Sequence, residues 1–221
     1  MDAAVHAQRQ GERRLPMGIA VIAAGGLYLL IPAGFRVGEA FHIGYPALLL
    51  VFLVILVVGD PGRIDRDSRW LRIVTGAMIL TITVGAVISV VRLVMGILAK
   101  EDYASPGQLL MIGAVVWITN VIAFAFWYWH LDRGGASARA RNSARVKPAF
   151  RFPEQELAEG TDEHWFPQFI DYFALSFNTS TAFSPTDVSA IRHWSKLMLI
   201  AESAISLTLI GLVVARAVNV L

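Results

Sequence analysis

Five stretches of the chain run almost without Asp, Glu, Lys or Arg: Met17–Gly34, Ile43–Gly59, Leu71–Leu98, Gly107–His130 and Ser195–Val218. A helix crosses hydrocarbon with about 17–25 apolar residues, and each stretch reaches that length. Between the fourth and fifth lies a segment of different character. From Phe166 it sets Phe169, Tyr172, Phe173, Leu175 and Phe177 among Asp171, Ser176 and Asn178. Pro167 suits a first helical turn, where its missing N–H costs nothing. The Ser/Thr-rich run Asn178–Asp187, with Pro185 inside it, disfavours helix continuation. The pattern therefore predicts a helix of about 14 residues, roughly 20 Å long. That is too short and too polar to span, and the last apolar helix follows at once.

This order predicts an all-α membrane protein with about five transmembrane helices, plus a re-entrant helix and turn before the last span. Full crossing by Trp165–Phe183, giving six spans, is the alternative. The chain divides into an N-terminal tail (1–16), four transmembrane helices (17–130), a charged loop (131–165) and the re-entrant module (166–221). Irregular backbone at membrane depth survives only where protein buries it or where it lines a wet cavity, which marks the turn as a candidate functional site.

Composition agrees: 56% of the residues are hydrophobic and the mean hydropathy is +0.57. The net charge of +2 and pI near 9.1 reflect where the basic residues fall, and call for no nucleic acid. Arg9, Arg13 and Arg14 precede the first stretch, and Arg63, Arg66, Arg69 and Arg72 lie between the second and third. Arg133, Arg139, Arg141, Arg145, Lys147 and Arg151 follow the fourth. The alternate connections hold only Arg36 with Glu39, and Lys100 with Glu101 and Asp102. Basic connections face the cytoplasm, so the tail and the 131–165 loop are expected there, in a multi-pass protein of the cell membrane. The first stretch is longer than a secretory h-region and lacks a small-residue exit site, so it is read as retained. The loop splits into a Gly/Ala/Ser/Arg-rich half, read as a mobile linker, and an acidic half with Glu154, Glu156, Glu159, Asp162 and Glu163.

Several chemistries drop out. There is no cysteine, and no two of the five histidines sit at helical ligand spacing, so no metal site is expected. No phosphate-binding loop, zinc-protease motif or nucleophile elbow occurs. No enzyme activity and no cofactor are expected, and without an internal repeat a duplicated transporter finds no support.

In the C-terminal 55 or so residues, Tyr172-Phe173-Ala174-Leu175-Ser176-Phe177 resembles the pore helix of tetrameric potassium channels. Thr181 matches the threonine that opens the filter of that family, and Asp187 falls near its post-filter aspartate. Arg192 through Arg216 is similar to the inner helix of its bacterial members. The preceding helices look instead like an uncharacterised family of bacterial integral-membrane proteins with a similar C-terminal segment. The resemblance implies a homotetramer in the bacterial inner membrane, with Ser195–Val218 lining a central pore, Thr179–Asp187 at its constriction, and monovalent ions as the permeant species.

The departures matter. Potassium filters use glycines to aim successive carbonyls at the ion, whereas Ala182, Phe183, Ser184, Pro185 and Thr186 stand between Thr181 and Asp187 here. Weak or altered selectivity follows. Hydroxyls of Thr179, Ser180, Thr181, Ser184 and Thr186 either coordinate an ion or bond the turn backbone. Glu202 is the one carboxylate well inside a span. It reads as an ion or proton site, or as a partner of Ser203, Ser206 or another hydroxyl. Arg92, Lys196 and Arg216 read as terminal anchors. Trp127-Tyr128-Trp129, with Trp165 and Trp194, reads as an interfacial belt. Ser203, Ser206, Thr208 and Gly211 permit close helix contact in an oligomer or within one bundle. The candidate pore or ion-binding set is thus Thr179, Ser180, Thr181, Ala182, Phe183, Ser184, Thr186, Asp187 and Glu202. A non-conducting scaffold or a small-solute carrier are the competing expectations.

Overall fold

The computed structural model describes residues 11–36, 38–64, 66, 68–99, 105–140, 147–158, 165–181 and 187–220. Eight helices follow in order among them: α1 (Leu15–Leu29), α2 (Glu39–Gly59), α3 (Arg69–Leu98), α4 (Pro106–Leu131), α5 (Ala136–Ala140), α6 (Pro153–Ala158), α7 (Phe169–Thr181) and α8 (His193–Val220). Four of them, α2, α3, α4 and α8, are long and apolar enough to cross a membrane. The first apolar stretch yields a helix of only 15 residues, shorter than its sequence implies. Its last residues leave the helix at Leu30, and the short turn Ala33–Phe35 follows after Pro32.

Local sequence explains the boundaries. Ser105 caps α4 by accepting the Gln108 N–H at 3.2 Å, with Pro106 in the first turn. Three successive residues of positive φ end it, Arg133, Gly134 and Gly135, and two of them are glycines, which enter that region without strain. At α7, Asp171 accepts the Gln168 N–H at 2.7 Å, the reciprocal half of a capping box. The helix starts at Phe169, two residues later than Pro167 implies.

Helix α4 is the hub. It packs against α8, α7, α3 and α1, and 67% of its apolar window is buried, against 22% for α8. Small residues bring the axes close. A Cβ on Gly113 would lie 2.8 Å from Val213 of α8, and one on Gly85 of α3 would lie 2.5 Å from the Tyr45 ring of α2. In an apolar solvent such packing, not water release, holds helices together.

Both α7 and α8 run antiparallel to α4. Phe169 packs on Phe126 and Trp129 near the end of α4, while Thr181 lies beside Gly113, Ala114 and Trp117 nearer its start. Trp194 and Tyr128 both meet Phe150, and Val213 meets Gly113. Two short strands, β1 (Phe150–Arg151) and β2 (Ser189–Ala190), pair antiparallel at the end where α7 and α8 begin. The arginine-bearing connections gather at that same end. Arg14 Nη2 bonds Asp60 at 3.0 Å, the Arg14 N–H reaches Gly62, and Arg139 faces Glu12.

The loop expected to be mobile is partly built into the core. Arg139, Asp132 and Phe150 are all buried. Nor do Tyr128 and Trp129 form a lipid-facing belt: both are buried, because α7 and the 147–152 segment cover that side of α4.

Candidate functional site

Glu202 is fully buried where α8 crosses α4 and α7. On α7, Ser176 and Ser180 are one turn apart and share a face, and both reach Glu202 Oε1. Ser180 Oγ donates to it at 2.9 Å, and Ser176 Oγ is in hydrogen-bond contact with it. From α4, Tyr128 Oη donates to Glu202 Oε2 at 2.5 Å. Ser176 Oγ also donates to the Val121 carbonyl at 2.8 Å. One turn further along α8, Ser206 Oγ accepts from Asn120 Nδ2 at 3.4 Å. Ser203, named from sequence as a partner of Glu202, donates instead to the Thr179 carbonyl at 3.3 Å. No lysine, arginine or histidine pairs with Glu202 among the described residues.

Of the residues singled out in the sequence, Ser180 and Glu202 come together. Thr179 and Thr181 donate back to the Leu175 and Asn178 carbonyls at 2.8 and 2.9 Å, and Asp187 is exposed at the foot of α7, beside Asn178. Ala182, Phe183, Ser184 and Thr186 lie outside the described residues. Tyr128, Ser176 and Asn120 were missed as site residues. One signal was present: Ser176/Ser180 and Glu202/Ser206 are both i, i+4 pairs, each placing two polar groups on one helical face.

A second polar cluster lies toward the arginine-rich end. Asp132, fully buried, accepts the Ala149 N–H at 2.7 Å and the Tyr172 O–H at 2.6 Å. Arg139 Nη1 donates to the Trp129 and Asp132 carbonyls at 2.7 and 3.0 Å, and its guanidinium stacks 4.9 Å from the Tyr172 ring centre. Glu12 accepts the Trp129 indole N–H at 2.8 Å, and its other oxygen stands 3.8 Å from Arg139 Nη2. Burial raises the Glu12 carboxyl to about 7, against the opposing pull of Arg139 and the Trp129 bond.

Asp132 with Tyr172, Tyr128 with Glu202, and Asn120 with Ser206 thus form a polar seam among α4, α7 and α8. Past Ser206 the seam closes in apolar side chains, including Leu109, Ile112, Val116, Leu209 and Val213. Alongside, beyond the end of α7, a groove of about 290 Å³ remains between α4 and α8, with Thr181 as a polar member of its lining. Among the described residues no group of three or more histidines and carboxylates could hold a metal. No protein-family model, no curated protein and no solved structure matches the chain.

Proposed function

We propose that the chain is an ion-translocating protein of the cell membrane, channel-like in its C-terminal module, with Glu202 as the ion-binding group. One observation carries the reading: a carboxyl at mid-helix, buried without a cationic partner among the described residues, on which hydroxyls from two other helices converge. An ionisable group costs several kcal/mol at membrane depth, and packing alone would be served as well by an apolar side chain. In this reading α7 is re-entrant, entering from the cytoplasmic side. Its length of 13 residues and the position of β2 beside its starting end support that path. The ion route follows the seam, and the apolar cluster beyond Ser206 is its closed gate.

A specific observation favours a second route around a homotetramer axis. Helix α8 turns Ala201, Ala204, Thr208, Gly211 and Ala215 outward at three- and four-residue spacing, a face on which copies can approach closely.

The test is planar-bilayer recording of the purified full chain beside its Glu202→Ala variant. Current in the wild type that falls at least tenfold in the variant is the expected result. Equal currents remove Glu202 from the route, and no current under any ion gradient favours a non-conducting scaffold. Fourfold particle symmetry would favour the axial route, and a monomeric particle the seam.

A further inference from the structure

Hydrogen counting at Glu202 deepens this reading. Four oxygen–oxygen contacts at hydrogen-bond distance meet there: Tyr128 to Glu202, Ser180 to Glu202, Ser176 to Glu202, and Ser176 to the Val121 carbonyl. Each contact needs one hydrogen between its oxygens, since two lone pairs face to face repel. The three hydroxyls supply one hydrogen apiece, and a carbonyl supplies none. Ser176 cannot serve both of its contacts as donor. Its hydrogen belongs on the Val121 carbonyl, which can only accept. The missing fourth hydrogen is then on the carboxyl itself.

We infer that Glu202 stands in this state as a neutral carboxylic acid donating its own proton to Ser176, and that a proton, not an alkali cation, is what the site binds. The first half rests on geometry alone; the second rests on the reading of Glu202 as the ion-binding group. A neutral acid removes the cost of a buried charge, which fits the absence of a cationic partner among the described residues. The oxygens touch one another directly, so an alkali ion has no room between them without the helices separating. A proton does fit.

The cluster also accommodates the proton's departure. When Glu202 releases it, the Ser176 hydroxyl rotates from the Val121 carbonyl to Oε1. The carboxylate then keeps three donors, from Tyr128, Ser176 and Ser180. One hydroxyl rotation connects the two states, and in the second the Ser176–Val121 contact, left without a hydrogen, has to open. The groups facing the carboxyl are Tyr128 from α4, and Ser176 and Ser180 from α7; of these Tyr128 alone is titratable.

The test is an infrared difference spectrum of the full chain in lipid, wild type minus Glu202→Gln, at neutral pH. The expected result is a protonated-carboxyl C=O stretch in the wild type that shifts in heavy water and is lost in the variant. Carboxylate stretches in its place would overturn the inference. Should Glu202→Gln fail to fold, Ser176→Ala gives the second reading: loss of the acceptor shifts the same band, and an unmoved band overturns the pairing. Flux in vesicles under proton and potassium gradients separates the two claims. The acid band without flux of any ion leaves the protonation standing and ends the translocation reading. Potassium flux without the acid band does the reverse.

Discussion

Two buried glutamates sit within one bundle, and the protein treats them differently. Glu12, at the arginine-rich end, has an indole N–H on one oxygen and a guanidinium 3.8 Å from the other. Glu202, deep between α4, α7 and α8, has hydroxyls alone among the described residues. At the first an opposite charge offsets part of the cost of burial, though the carboxyl still rises to about 7; at the second the hydrogen count removes the charge. The difference shows how one residue type serves as a structural tie where a cation can reach it, and as a proton holder where only hydroxyls can.

The comparison breaks most severely at Arg139. Arg139→Ala leaves the buried Glu12 without its cation, and strips two bonds from the Trp129 and Asp132 carbonyls and the stack on Tyr172. A loss of about 3–5 kcal/mol is expected, read as a lowered denaturation midpoint in detergent. A change below about 1 kcal/mol would show that Arg139 does not hold this end together.

Glu12 gives a smaller effect with a sign. Burial raises its carboxyl from 4.5 to about 7, so the folded chain holds this proton more tightly than the unfolded chain. Stability from this group is therefore greatest below pH 4.5, falls as pH rises to about 7, and is level above that. The fall is at most about 3 kcal/mol. Glu12→Gln should flatten it, and melting curves across that range that keep the wild-type slope in the variant would assign the slope elsewhere.

The smallest effect lies at the other glutamate. Ser180→Ala removes one of three hydroxyl partners and should cost about 1 kcal/mol, without adding a pH slope, because a neutral acid missing one donor stays neutral. A new slope near neutral pH in that variant would mean that Glu202 ionises there, and the contrast with Glu12 would collapse.

Much of the architecture was legible along the chain. Apolar length placed α2, α3, α4 and α8 within a few residues, since a helix in hydrocarbon must satisfy its own backbone and runs until polar residues stop it. Arginine spacing anticipated which connections would gather at one end. Glu202 stood out because a carboxylate in a long apolar run is rare.

Apart from Ser180, the partners of Glu202 did not stand out. Tyr128 sits between two tryptophans and looks interfacial until α7 and Phe150 cover it. Arg139, in a run of small residues, looks solvated until it stacks on Tyr172, 33 positions away. Helix periodicity tells which residues share a face, because that depends only on local geometry. Which faces meet depends on how helices far apart in the chain choose one another. Here that choice turns on close approach at residues such as Gly113 and on the seat α7 finds against α4 and α8, and no single segment encodes it.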